Sequence, residues 1–103
     1  MNFKALGESL GLEEDEFIEI VEIFVETAVS DIKKLECALP SNDFAAVSDA
    51  AHSLKGSAGN LGFMDISRLS ATIEDKARKN NITGLAPAII ELTALITGIK
   101  DQM

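Results

Sequence analysis

The sequence predicts an all-α fold: an antiparallel up-and-down four-helix bundle with a short extra N-terminal helix, as one domain over residues 1–103. Three observations predict it. Apolar residues recur every three or four positions through four long segments. The links between those segments are short and rich in Gly, Pro, Asn and Ser. No stretch alternates apolar and polar residues as a half-buried strand would. Long amphipathic segments joined by short links pack most simply as antiparallel neighbours.

The first element is a lead-in with Phe3, Leu6 and Leu10, placed to cover one end of the core. The first long helix runs from Glu13 to Leu39, with Phe17, Val21, Phe24, Ala28, Ile32, Leu35 and Leu39 in one stripe. It would span roughly 40 Å at about 1.5 Å per residue. Asp15, Glu19, Glu22, Glu26 and Lys33 fall opposite the stripe. The acidic run Glu13 to Glu16 occupies the first turn, where the helix dipole favours negative charge. "LPSND" ends this helix, and Ser41 or Asn42 is expected to cap the next one.

The next segment spans about Asp43 to Asn60, and "GNLGFMD" turns the chain. Asp65 is the expected cap of the following helix, which carries Ile66, Leu69, Ile73 and Ala77. "NNITG" breaks it. The last segment carries Leu85, Ile89, Leu92, Ile96, Ile99 and Met103, with Pro87 in its first turn, where the missing N–H costs nothing.

Composition narrows function. The net charge of -8 disfavours nucleic acid and anionic lipid as partners. No apolar run reaches the roughly 20 residues needed to span a bilayer, and the N-terminus lacks the pattern of a signal peptide. Cys37, the single cysteine, has no internal disulfide partner, which suits the reducing cytoplasm. Polar outer faces suit a monomer. Met1 and the compact length suit a free-standing protein rather than a piece of a larger one.

The chain holds one histidine, His52. On a helical wheel, Val47, Ala50, Ala51, Leu54, Ala58 and Leu61 cluster roughly 140° away from it. Ala45, Ser48, Asp49, Lys55, Gly56 and Gly59 share its side. The imidazole should therefore stand outside the core. Glycine inside a helix costs about 1 kcal/mol relative to alanine. Gly56, one turn beyond His52 on the same face, would leave a bare surface on which another backbone can approach the ring. Lys55 leans back towards the ring and would favour an anion there.

If the two central helices form a hairpin about residue 63, His52 lies level with Glu74, each being eleven residues from that turn. Glu74 could accept a hydrogen bond from the ring and fix its tautomer. Arg78, at i+4 from Glu74, could add positive field. Arg68, Lys76 and Lys79 could contribute to a docking rim. A neutral imidazole is a nucleophile, and its attack on an activated phosphoryl group would give a phosphoimidazole. Phosphoryl transfer asks chiefly for in-line placement and charge neutralisation. The sequence has no GxxxxGK[ST] loop and no converging carboxylates, so the activated phosphate and its metal would come from a partner.

The stretch "AHSLKGSAGNLGF" closely resembles the H-x-L-K-G-S signature of histidine-containing phosphotransfer (HPt) domains of multistep phosphorelays. The histidine, the apolar residue at +2, the lysine at +3, the glycine at +4, the small residue at +5 and the later "LGF" all fit. The resemblance extends over nearly the whole chain. It implies a helical bundle in which His52 is reversibly phosphorylated by the aspartyl phosphate of one receiver domain and passes the group to another. It implies response-regulator receiver domains and hybrid histidine kinases as partners, no cofactor of the chain's own, and Mg²⁺ on the receiver. By the same resemblance Lys55 would help position or neutralise the phosphoryl group, and Gly56 would permit close docking. Glu74 would hydrogen-bond the histidine, and Arg78 falls where some members carry a basic residue.

Three rivals stand beside this reading. The phosphoacceptor domain of a histidine kinase would place an acidic residue directly after the histidine and a proline soon after. "HSLKG" has neither. A carboxylate–histidine metal site from Asp49 and His52, at i,i+3, would need a second such pair and inward acids. The remaining alternative is a non-catalytic helical adaptor or docking module with an incidental surface histidine.

Overall fold

A computed structural model describes residues 2–103. Five helices follow one another: α1 (Phe3–Ser9), α2 (Glu14–Ala38), α3 (Phe44–Asn60), α4 (Met64–Arg78) and α5 (Leu85–Asp101). No strand occurs among the described residues. Helices α2 to α5 form the bundle, each packed against its two neighbours in cyclic order, and α1 packs on α2. The molecule measures 42 × 20 × 17 Å, its long axis set by α2. Among the described residues, no helix is long and apolar enough to cross a membrane.

The core repeats the stripes read from the sequence. Phe17, Val21, Phe24, Ala28, Ile32 and Leu35 are buried on α2, and Leu85, Ile89, Leu92, Ile96 and Ile99 on α5. Met103, expected to extend the last stripe, lies beyond α5 and is exposed. At the same end of the bundle, Phe3 meets Phe17 at 6.3 Å between ring centroids, and Phe63 meets Phe24 at 5.4 Å. A Cβ on Gly7 would stand only 3.0 Å from the Phe17 Cβ, so a glycine is what lets α1 lie close on α2. Leu10, expected to be part of this cover, is exposed past the end of α1.

Both expected caps shift. Asp43, not Ser41 or Asn42, caps α3, accepting from the Ala46 N–H at 3.1 Å. Asn42 instead takes φ +54°, the left-handed conformation that asparagine tolerates, and reverses the chain. Helix α4 starts at Met64, which leaves Asp65 inside the first turn, where its charge suits the dipole. The reason is a tight α3–α4 link. Gly62 adopts φ +83°, and the Phe63 N–H returns to the Ala58 carbonyl at 2.9 Å.

Candidate functional site

On α3, Val47, Ala50, Ala51, Leu54 and Ala58 are buried as the wheel requires. Leu61 falls just past the helix end and is only half-buried. His52 points away from this face, and its side chain keeps 63% exposure. The tight link at Gly62 sends α4 back along α3 and brings Glu74 level with His52. His52 Nδ1 and Glu74 Oε2 are 2.7 Å apart. The same carboxylate takes Lys55 Nζ on Oε1 at 2.7 Å and Arg78 Nη2 on Oε2 at 2.8 Å.

Glu74 retains only 4% side-chain exposure, so the Glu74–Arg78 pair is not a plain surface ion pair. A carboxylate desolvated this far needs partners to stay ionised, and it has three. Its carboxyl is held below the usual range. The Lys55 hydrogen bond is the largest cause, and the His52 bond and the Arg78 charge add to it against the opposing effect of burial. An ionised Glu74 can only accept, so the imidazole must donate from Nδ1. In the neutral ring that tautomer leaves the lone pair on Nε2, on the side turned to solvent.

Lys55 was expected over the imidazole, ready for an anion. Its ammonium instead sits on the acceptor that orients the ring. Arg78, 64% exposed, shares Oε2 with His52 and therefore lies beside the ring with other guanidinium N–H groups unspent. Of the possible rim residues, Lys76 donates to the Thr83 carbonyl at 3.1 Å and ties down the α4–α5 loop, Lys79 pairs with Asp75 at 3.1 Å, and Arg68 is exposed.

The two glycines differ. A Cβ on Gly56 would meet nothing within 4 Å, so nothing inside the molecule demands a glycine there. A Cβ on Gly59 would come within 3.3 Å of Ser67 Oγ. Ser67 in turn donates to the Lys55 carbonyl at 3.0 Å, clamping α3 to α4. Gly59 thus serves helix packing, whereas Gly56 leaves open surface one turn from His52.

One polar residue beside the site was missed. Asp31, on the core side of α2 with 3% exposure, accepts from Ser53 Oγ at 2.9 Å. Its place beside the Ala28–Leu35 stripe was the available signal. Asp49 does not join His52 in a cluster, and no three His, Cys, Asp or Glu residues are placed to hold a metal among the described residues.

Comparison with known proteins bears on the fold and the family. The family model for the Hpt domain matches residues 19–102. The phosphotransferase RcsD of Escherichia coli (strain K12) is 29% identical over 77 residues, covering 75% of this chain but only 9% of RcsD. The crystal structure of histidine-containing phosphotransfer protein B (HptB) from Pseudomonas aeruginosa PAO1 is similar with a TM-score of 0.86, at 22% identity, over 99% of this chain and 89% of that one. That likeness extends the fold to α1, which the family match leaves out. With the family model spanning α2 to α5, the chain belongs to the Hpt domain family, the histidine phosphotransfer modules that carry phosphoryl groups in phosphorelays.

Proposed function

We propose that His52 is the carrying residue and that Nε2 is the atom that bonds phosphorus. The observation that supports this most is the Nδ1–Glu74 hydrogen bond at 2.7 Å on the only histidine of the chain. It occupies one ring nitrogen and leaves the other free and turned outward. The donor is the aspartyl phosphate of a receiver domain, alone or within a hybrid kinase. As Nε2 attacks in line, the N–P bond forms and the P–O bond to the aspartate breaks. The aspartate leaves as its carboxylate, and Nδ1 keeps its proton. The ring gains positive charge, which the ionised Glu74 stabilises. A second receiver aspartate reverses the step.

Arg78 is placed to meet the added phosphoryl oxygens. Lys55 acts on them through Glu74, by keeping that carboxylate ionised and fixed. Gly56 gives the incoming domain room. A carboxylate already taken by one imidazole and two cations is poorly suited to a divalent ion, so the Mg²⁺ of this chemistry is assigned to the receiver. The phosphoryl group arrives already activated, and this reading needs no nucleotide site on the chain. We infer a monomer working in the cytoplasm, the setting that suits an exposed single cysteine, Cys37.

Incubation with a radiolabelled phospho-receiver and Mg²⁺ tests the proposal. Label should appear on the protein in an acid-labile, alkali-stable form and be absent from His52→Gln. Equal labelling of that variant would refute it.

A further inference from the structure

Consecutive residues of α3 are tied to opposite neighbours. His52 reaches Glu74 on α4, and Ser53 reaches Asp31 on α2, each across 22 residues of chain. Asp31 is costly where it stands. It is 3% exposed, with one hydroxyl donor and one ion pair to Lys34 at 3.7 Å, and that lysine is itself 66% exposed. A buried carboxylate so thinly partnered weakens a helix seam that an apolar residue would fill without desolvation cost. What Asp31 supplies in return is direction.

We propose that Asp31 is a positioning residue for the phosphoryl acceptor, acting through Ser53 to fix the rotation of α3 about its axis. This rests on the assignment of His52 as that acceptor. The ties through His52, Lys55 and the Lys55 carbonyl all run to α4 and pull α3 one way, whereas the Ser53–Asp31 tie runs to α2 and opposes that roll. Nε2 stands about 6 Å from the helix axis, so a roll of about 10° moves it by about 1 Å. The same roll misaligns Nδ1 with Glu74. A displacement of that size is enough to slow an in-line reaction severely.

The test uses the full chain labelled with ¹⁵N-histidine, whose spectrum reports His52 alone. A phosphorylated receiver domain with Mg²⁺ serves as the donor, because a displaced Nε2 is felt by a donor that docking holds in place. Wild type should show the Nδ1–H tautomer and become phosphorylated. Asp31→Ala and Ser53→Ala should each shift the ring towards a mixture of tautomers and slow phosphorylation about tenfold. The double variant should be no slower than either single one, and Asp31→Asn, which keeps an acceptor for Ser53, should stay within about threefold of wild type. If Asp31→Ala fails to fold, Ser53→Ala, which loses one hydroxyl, still decides. An unchanged tautomer or an unchanged rate in the folded variants overturns the inference. A wild-type protein that takes no phosphate at His52 overturns the assignment of the acceptor instead.

Discussion

His52 and Glu74, 22 residues apart in the chain, meet at 2.7 Å through Nδ1 and Oε2, with the imidazole largely in solvent and the carboxylate almost wholly out of it. On the proposed function, the exposed partner does the chemistry and the buried one sets its direction. Replacing Glu74 by Gln keeps the shape and an acceptor oxygen but removes the charge that balances the ring during transfer. A charge-assisted hydrogen bond is roughly twice as strong as a neutral one. Single-turnover transfer from a phospho-receiver should fall about tenfold or more in Glu74→Gln, with receiver binding little changed.

Glu74 also makes stability depend on acidity. Its folded carboxyl is held below the ordinary value of 4.5. A depressed carboxylate contributes stability that is present above the unfolded value and lost as pH falls through the folded one. Urea denaturation of wild type and Glu74→Gln should therefore differ above pH 4.5. The gap should shrink as pH falls below 4.5. A gap that widens as pH falls below 4.5 would contradict the ion-pair geometry.

Lys55 is the largest contributor to that depression and Arg78 a smaller one. Carboxyl ¹³C titrations should show Glu74 moving upward in Lys55→Met, and by less in Arg78→Ala. The opposite order would mean that Lys55 is free for an anion rather than committed to Glu74.

The two glycines make a separable pair. Alanine at position 56 enters open space and gains helix propensity, so Gly56→Ala should be stabilised by up to about 1 kcal/mol, about 4–8 °C in Tm. Gly59→Ala should gain less or lose, because its methyl presses on Ser67. Thermal melts read both. Gly56→Leu should fold but raise the receiver concentration needed for half-maximal transfer, since its cost falls on docking.

The elements were legible because their burial is periodic. The stripe of α5 places all five of its buried side chains and that of α2 six of nine, with Val25, Asp31 and Ala38 outside it. Helix ends were less legible, since a cap depends on backbone turns that periodicity does not encode. Asn42 spent its side-chain tolerance on a left-handed φ and left capping to Asp43. Gly62 closed the α3–α4 link so tightly that α4 began ahead of Asp65. The His52–Glu74 pairing could be read by counting from that link, since antiparallel helices of equal rise put equal counts at one level. The commitment of Lys55 to Glu74 could not, because a lysine stem reaches several partners and only the buried carboxylate decides among them. Asp31 sits beside the apolar stripe of α2, where periodicity alone reads only the apolar positions. Its cost becomes visible only once Ser53 is seen to be its donor.

The most direct test is to locate the phosphoryl group by ¹⁵N and ³¹P NMR on protein phosphorylated by a receiver domain. The account predicts one N–P bond, at Nε2 of His52, with Nδ1 still carrying its proton. Phosphate on Nδ1, or on any residue other than His52, would contradict it.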